Sequence, residues 1–392
     1  MVDLFGDPVT PPSAPNLDAD IAQDTQIAGD TFNDEELTPR NNPHLIGHTH
    51  VEKDLLERLD ANKMPHALIL HGPSGIGKAT LAYGLARYLF KDSEDKDGLF
   101  PVETEGENDK TSLYVAPNDR IFRQVNSGGH PDLFNVECGF DEKKGTVRKS
   151  VDIDQIRKIA PFLRMTSNTQ DGWRIVIVDD ADTMTINAQN SILKVLEEPP
   201  KKTLLILVVH RIGALIPTIR SRCQSIAMTP LNSNECKDVI HKLSLEQTNE
   251  DEELFTEYCE GSPGMFAHIV EEGGTECIQD FLNLFTTYPK LDPKMTHSFA
   301  DKYGKAGQEK AFNLLRTYIK WLLRTLIKCK ITNTKIPFFI AENTGLNTLY
   351  NKFNHMELLK SHDNLDDLMR TAQIRTLDKR NTLLQMFFLL QD

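Results

Sequence analysis

Apolar positions along this chain follow two different periods. Short unbroken runs at Ala67 to His71, Leu133 to Glu137, Trp173 to Val178, Leu204 to Val209 and Gln224 to Met228 read as strands buried on both faces. Between them the spacing becomes helical. Leu81, Leu85 and Tyr88/Leu89 line one face of Lys78 to Phe90, and Ile156, Ile159, Ala160 and Leu163 form a stripe on Asp152 to Arg164. Thr185 to Glu197 reads as a further helix. Strands alternating with helices predict an α/β unit, a parallel sheet with helices on both faces, because parallel neighbours need crossover connections. Residues 91–129 are charged, dotted with glycine and weakly periodic, and read as an insertion or long loop. After Pro230 the strand signal fades, so the expected order is a first domain at 41–230, a small helical lid at 231–275 and an all-helical domain at 278–392.

Composition narrows the class. The 392 residues are 39% hydrophobic and 26% charged, as in soluble globular chains of several domains. Leu204 to Val209 is the longest strongly apolar run, far short of the ~20 residues that span a bilayer. Residues 1–30 have neither a basic nor an apolar signal region, so the expectation is a cytoplasmic protein without a membrane partner. The six cysteines are scattered without a CxxC pair, which suits reduced thiols. Charge is uneven: residues 1–40 hold nine acids against Arg40, a net of −8 out of −13, which leaves −5 for the remainder. Such a segment buries too little apolar surface to offset its ordering entropy and reads as a disordered acidic tail, with Val2 to Phe5 as a candidate docking peptide. The mildly acidic remainder excludes a nucleic-acid binder working by bulk charge.

Three motifs carry chemistry. Gly72 to Thr80, GPSGIGKAT, joins the first strand to the first helix in the manner of a phosphate loop. There, glycines (Gly72, Gly75, Gly77) let backbone N–H groups curl around phosphate and a lysine (Lys78) neutralises it. The hydroxyl that holds Mg²⁺ should follow the lysine, but that position is Ala79. Thr80 is rotated by ~100° along a helix and aims elsewhere. Asp179 and Asp180 end an apolar strand, where a Walker B acid helps to hold metal and its neighbour orients water; Asp180 is one methylene shorter than the usual glutamate. Ser221-Arg222-Cys223 follows Ile216 to Arg220; an isolated arginine on such a turn usually makes only a surface ion pair.

With NPHLIGH (42–48), MPHALILHGPSGIGKATLA (64–82), HPDL (130–133), the run 151–164, NSILKVLEEPP (190–200), IRSRC (219–223) and GSPG (261–264), the chain resembles the bacterial clamp-loader ATPases of the AAA+ superfamily over residues 42–270. That resemblance implies an AAA+ P-loop domain, a lid and a C-terminal helical collar. It makes Arg222 an arginine finger reaching a neighbouring subunit's ATP. The implied partners are motor subunits of the tau/gamma type, a delta subunit, a sliding clamp and primer-template DNA. Departures from the motor pattern agree with one another: Ala79, Asp180, Met265 where a sensor arginine is common, and only Cys138 within 91–150, so no zinc module. The expectation is a stator-like subunit of the replicative DNA polymerase holoenzyme, with a weak or vestigial site for ATP or ADP and Mg²⁺. The alternative is an ATP-hydrolysing motor subunit or related remodeller. His130 and His210 stand alone and read as satisfied loop or core positions. Lys320, Arg324 and Lys328 form a basic helical stripe, read first as a solvated face.

Overall fold

The computed structural model describes residues 38–97, 112–138, 140–141, 146–147, 150–151, 153–169, 172–242, 254, 256–271, 274–305, 307–374 and 378–391. The acidic segment expected to be a tail lies outside them up to residue 37, as do 98–111 of the expected insertion and 243–253 of the expected lid.

Five parallel strands, β1 (Ala67–His71), β2 (Leu133–Val136), β5 (Arg174–Val178), β6 (Thr203–Val209) and β7 (Gln224–Ala227), form one sheet in the order β2-β5-β6-β1-β7. β3 (Phe140–Asp141) and β4 (Thr146–Val147) make a separate antiparallel pair. Side chains alternate across the sheet with period two. Leu68, Leu70, Ile175, Ile177, Ile206 and Val208 face a core shared with α1 (Thr49–Asp60), α2 (Lys78–Asp97) and α3 (Arg120–Asn126). Their neighbours Ile69, Val176, Val178, Leu205 and Leu207 face a second core with α4 (Ile153–Arg164), α5 (Ile186–Glu197) and α6 (Pro217–Arg220). Both faces are therefore covered, which is why the central strands read as continuous apolar runs. This is a five-stranded parallel α/β sheet with helices on both faces.

Local signals set the boundaries. The Asp119 side chain caps α3 by accepting from Ile121 N (2.8 Å), and Thr185 caps α5 by accepting from Ala188 N (3.3 Å). α3 corrects part of the reading of 91–129 as a loop outside the core: α2 continues to Asp97, and Leu113, Val115, Ile121, Phe122 and Val125 are buried. Seven residues with three apolar positions show too little periodicity to stand out before the fold supplies the surface they cover.

Beyond the sheet the described chain is helical: α7 (Ser233–Lys242), α8 (Pro263–Glu271), α9 (Gly274–Phe285), α10 (Pro293–Tyr303), α11 (Glu309–Thr332), α12 (Phe338–Glu342), α13 (Thr344–Lys352), α14 (His355–Ile374) and α15 (Lys379–Gln391). One apolar cluster runs from Ile240 to Leu390 around Phe281, Phe285, Tyr318 and Phe387, with Met265 packed against it. The basic stripe on α11 is not uniform. Lys320 is paired with Asp366, whereas Arg324 and Lys328 border a cavity with Ile327, Ile331 and Leu359. His130 is buried and stacks on Phe90 with ring centroids 3.8 Å apart, and burial lowers its pKa to about 4. No described helix is long and apolar enough to cross a membrane.

Candidate functional site: two ends of one sheet

The phosphate-loop motif lies at the carboxyl end of β1, between that strand and α2. Gly72, Gly75 and Gly77 have φ of 154°, 76° and 99°. At Gly72 a Cβ would come within 2.2 Å of the Met228 carbonyl oxygen, so backbone from beyond β7 closes on the loop. The GSPG segment closes on it too. Ser262 Oγ donates to Ser74 O (2.6 Å), Gly264 N donates to Gly75 O (2.9 Å), and a Cβ on Gly75 would stand 2.3 Å from Ser262 Oγ. The GSPG segment thus docks its own small residues on the loop's glycine, which requires that neither side carry a larger side chain.

Lys78 is only 3% exposed. Its Nζ donates to Gly72 O (2.9 Å), to Pro73 O and to Nδ1 of His210 (2.9 Å). An ammonium has three donors and no acceptor, so Nδ1 accepts. The ring proton then lies on Nε2, which donates to Asp180 Oδ1 at 2.7 Å. Desolvation brings Lys78 down to about 8, although Asp179 and Asp180 pull the other way. Burial and the neighbouring Asp180 charge push Asp179 up to about 6, while the bond from His210 holds Asp180 below the ordinary carboxylate value. Thr80 turns away from this network: it lines a 310 Å³ cavity with Pro43, His44, Leu45 and Leu81. These residues do not suit metal-bound triphosphate. Ala79 offers no oxygen, Asp180 faces His210, and all three donors of Lys78 are engaged within the chain.

Arg222 lies at the other end of the sheet. It precedes β7 in the turn after α6, and the parallel register pairs Gln224 with Leu68 and Ala227 with His71. Extending that register puts Arg222 about six residues below Gly72, roughly 20 Å at ~3.3 Å per residue. It is not brought together with the loop of its own chain. Its Nη2 makes a 2.8 Å ion pair with Glu197 Oε1, its Nη1 donates to Thr218 O (3.0 Å), and its side chain is 35% exposed.

Residues 47–232 match the family model described as DNA polymerase III, delta subunit. A Pseudomonas aeruginosa DNA polymerase III subunit delta' is 35% identical over 158 residues, covering 40% of this chain and 41% of the relative. The Bacillus subtilis subunit delta' is 31% identical over 189 residues (48% and 49%). Over residues 47–232 the chain is thus similar to DNA polymerase III delta' subunits. More distantly, replication factor C subunit 5 of Mus musculus is 25% identical over 197 residues (50% and 45%). The chain spans less than half the length of these relatives.

The sequence motifs fall into two groups in space. Gly72 to Lys78, Asp179, Asp180 and GSPG meet at one end; IRSRC and LEEPP meet at the other. His210 was missed as a site residue, although its reading as satisfied is right. It follows the last residue of β6, the strand between β1 and β5, so topology puts it at the mouth where loops after parallel strands converge. The signal was its position directly after the apolar run. Asp182, also missed, accepts from His210 N (3.0 Å) and pairs with Arg211 (3.4 Å). No cluster of potential metal ligands occurs among the described residues.

Proposed function

We propose that this chain is a stator-like, non-motor subunit of a replicative clamp loader, and that Arg222 completes the ATP site of an adjacent motor subunit. One observation carries the proposal: a half-exposed, doubly anchored guanidinium sits at the opposite end of the sheet from a phosphate loop whose lysine is already satisfied. A cation that remote from its own loop can reach a triphosphate only if another polypeptide holds it. Arginine suits the task, since its planar fork stays charged and stabilises phosphoryl charge as it spreads, worth ~10³ to 10⁵ in rate for known fingers. The partners are tau/gamma-type motor subunits and a delta subunit in the cytoplasm of a bacterium, and the assembly loads a sliding clamp on primed DNA.

The test is steady-state ATPase of the reconstituted loader with clamp and primed DNA. Arg222→Ala leaves assembly intact on gel filtration and lowers stimulated turnover by about 10³-fold. Unchanged turnover removes the trans finger. Turnover by the isolated chain that Lys78→Ala abolishes supports the motor alternative instead.

A further inference from the structure

Glu197 is the first glutamate of the LEEPP segment. Glu197 is the last residue of α5, and a carboxylate there faces the negative end of the helix dipole. Helix stability is therefore no reason for an acid at this place. Its side chain is 51% exposed, and ion pairs this open to water contribute little to stability. What the pair does supply is direction. Arg222 is held at one terminal nitrogen by Glu197 Oε1 and at the other by Thr218 O, two anchors on separate helices. A free arginine spreads over many rotamers; two fixed partners select one pose. A guanidinium has five N–H donors, so the two anchors leave the remaining ones for phosphate oxygens.

We infer that Glu197 is a positioning residue for Arg222: with the Thr218 carbonyl, its carboxylate holds the guanidinium in the pose presented to the neighbouring subunit's nucleotide. This rests on the reading of Arg222 as a trans finger. Glu197 does not touch the nucleotide; it acts through the arginine, so its loss appears in turnover and not in ATP affinity.

In the reconstituted loader, Glu197→Ala lowers clamp- and DNA-stimulated kcat on the order of tenfold, because a loosened finger misplaces its charge by a fraction of an ångström. KM for ATP moves by less than about twofold. Glu197→Gln keeps an acceptor oxygen at the same reach and restores most of kcat. In an Arg222→Ala background, Glu197→Ala changes nothing further. A full kcat for Glu197→Ala where Arg222→Ala is defective overturns the positioning role and leaves the finger standing. An equal loss from Glu197→Ala in both backgrounds does the same. A silent Arg222→Ala removes the finger and the positioning role together.

Discussion

The two ends of the sheet handle their cations differently. At the carboxyl end, Lys78 is buried and spends its donors on two loop carbonyls and His210, whose other nitrogen is tied to Asp180. The GSPG segment packs over this arrangement through Ser262 and Gly264. At the amino end, Arg222 is anchored at two points and still open to solvent. Opening the first end to a ligand means breaking hydrogen bonds that the chain makes with itself; the second end needs only a neighbour. If Arg222 serves a neighbour's nucleotide as proposed, the domain keeps a phosphate-loop motif whose lysine is engaged within the chain while a second cation faces outward.

The largest effect separates these ends directly. In the assembled loader Arg222→Ala costs about 10³-fold in stimulated turnover, whereas Lys78→Ala changes it by less than about twofold; similar losses from both would abolish the contrast. Next is the buried acid. Folded Asp179 keeps its proton up to about pH 6 although an ordinary aspartate loses it near 3.8, so stability falls as pH rises through that window. Asp179→Asn, which does not titrate, therefore stabilises the isolated chain by up to ~3 kcal/mol at pH 7.5, and the gain shrinks toward pH 4. Denaturant melts at the two pH values test this, and a gain independent of pH would show that Asp179 is ionised freely. Gly75→Ala should cost about 2 kcal/mol, since it strains a positive φ and collides with Ser262; a neutral melt would mean that the GSPG segment is not seated on the loop. The smallest effect concerns His210→Ala, which frees one donor of Lys78. Binding of a fluorescent ATP analogue to the isolated chain should tighten by roughly tenfold, the worth of one charge-assisted hydrogen bond. Weaker binding would make His210 a ligand contact and not a plug.

Much of this was legible beforehand. The five strands were visible because a sheet covered on both faces writes itself as continuous apolar runs, and Gly72, Gly77 and Lys78 because a phosphate loop needs fixed spacing. Ala79 already argued against metal, and the cavity lined by Thr80 agrees with the helical rotation expected of it. Helix α3 was not legible, since its apolar positions are too few for a period to show. Nor was the role of His210: its partners are 132 and 30 residues away in sequence, and only the adjacency of β6 to β1 and β5 brings them within 2.9 Å and 2.7 Å.

The sequence by itself determined the parallel α/β domain, the chemical types at each motif and the missing hydroxyl beside Lys78, because these depend on local spacing and side-chain identity. Only the tertiary structure decided which motifs share a space: the glycine loop with the GSPG segment and His210, and Arg222 with Glu197 at the far end. Strand order and register are set by packing between segments distant in the chain, and they alone fix whether two charges lie within hydrogen-bond reach or the length of a strand apart.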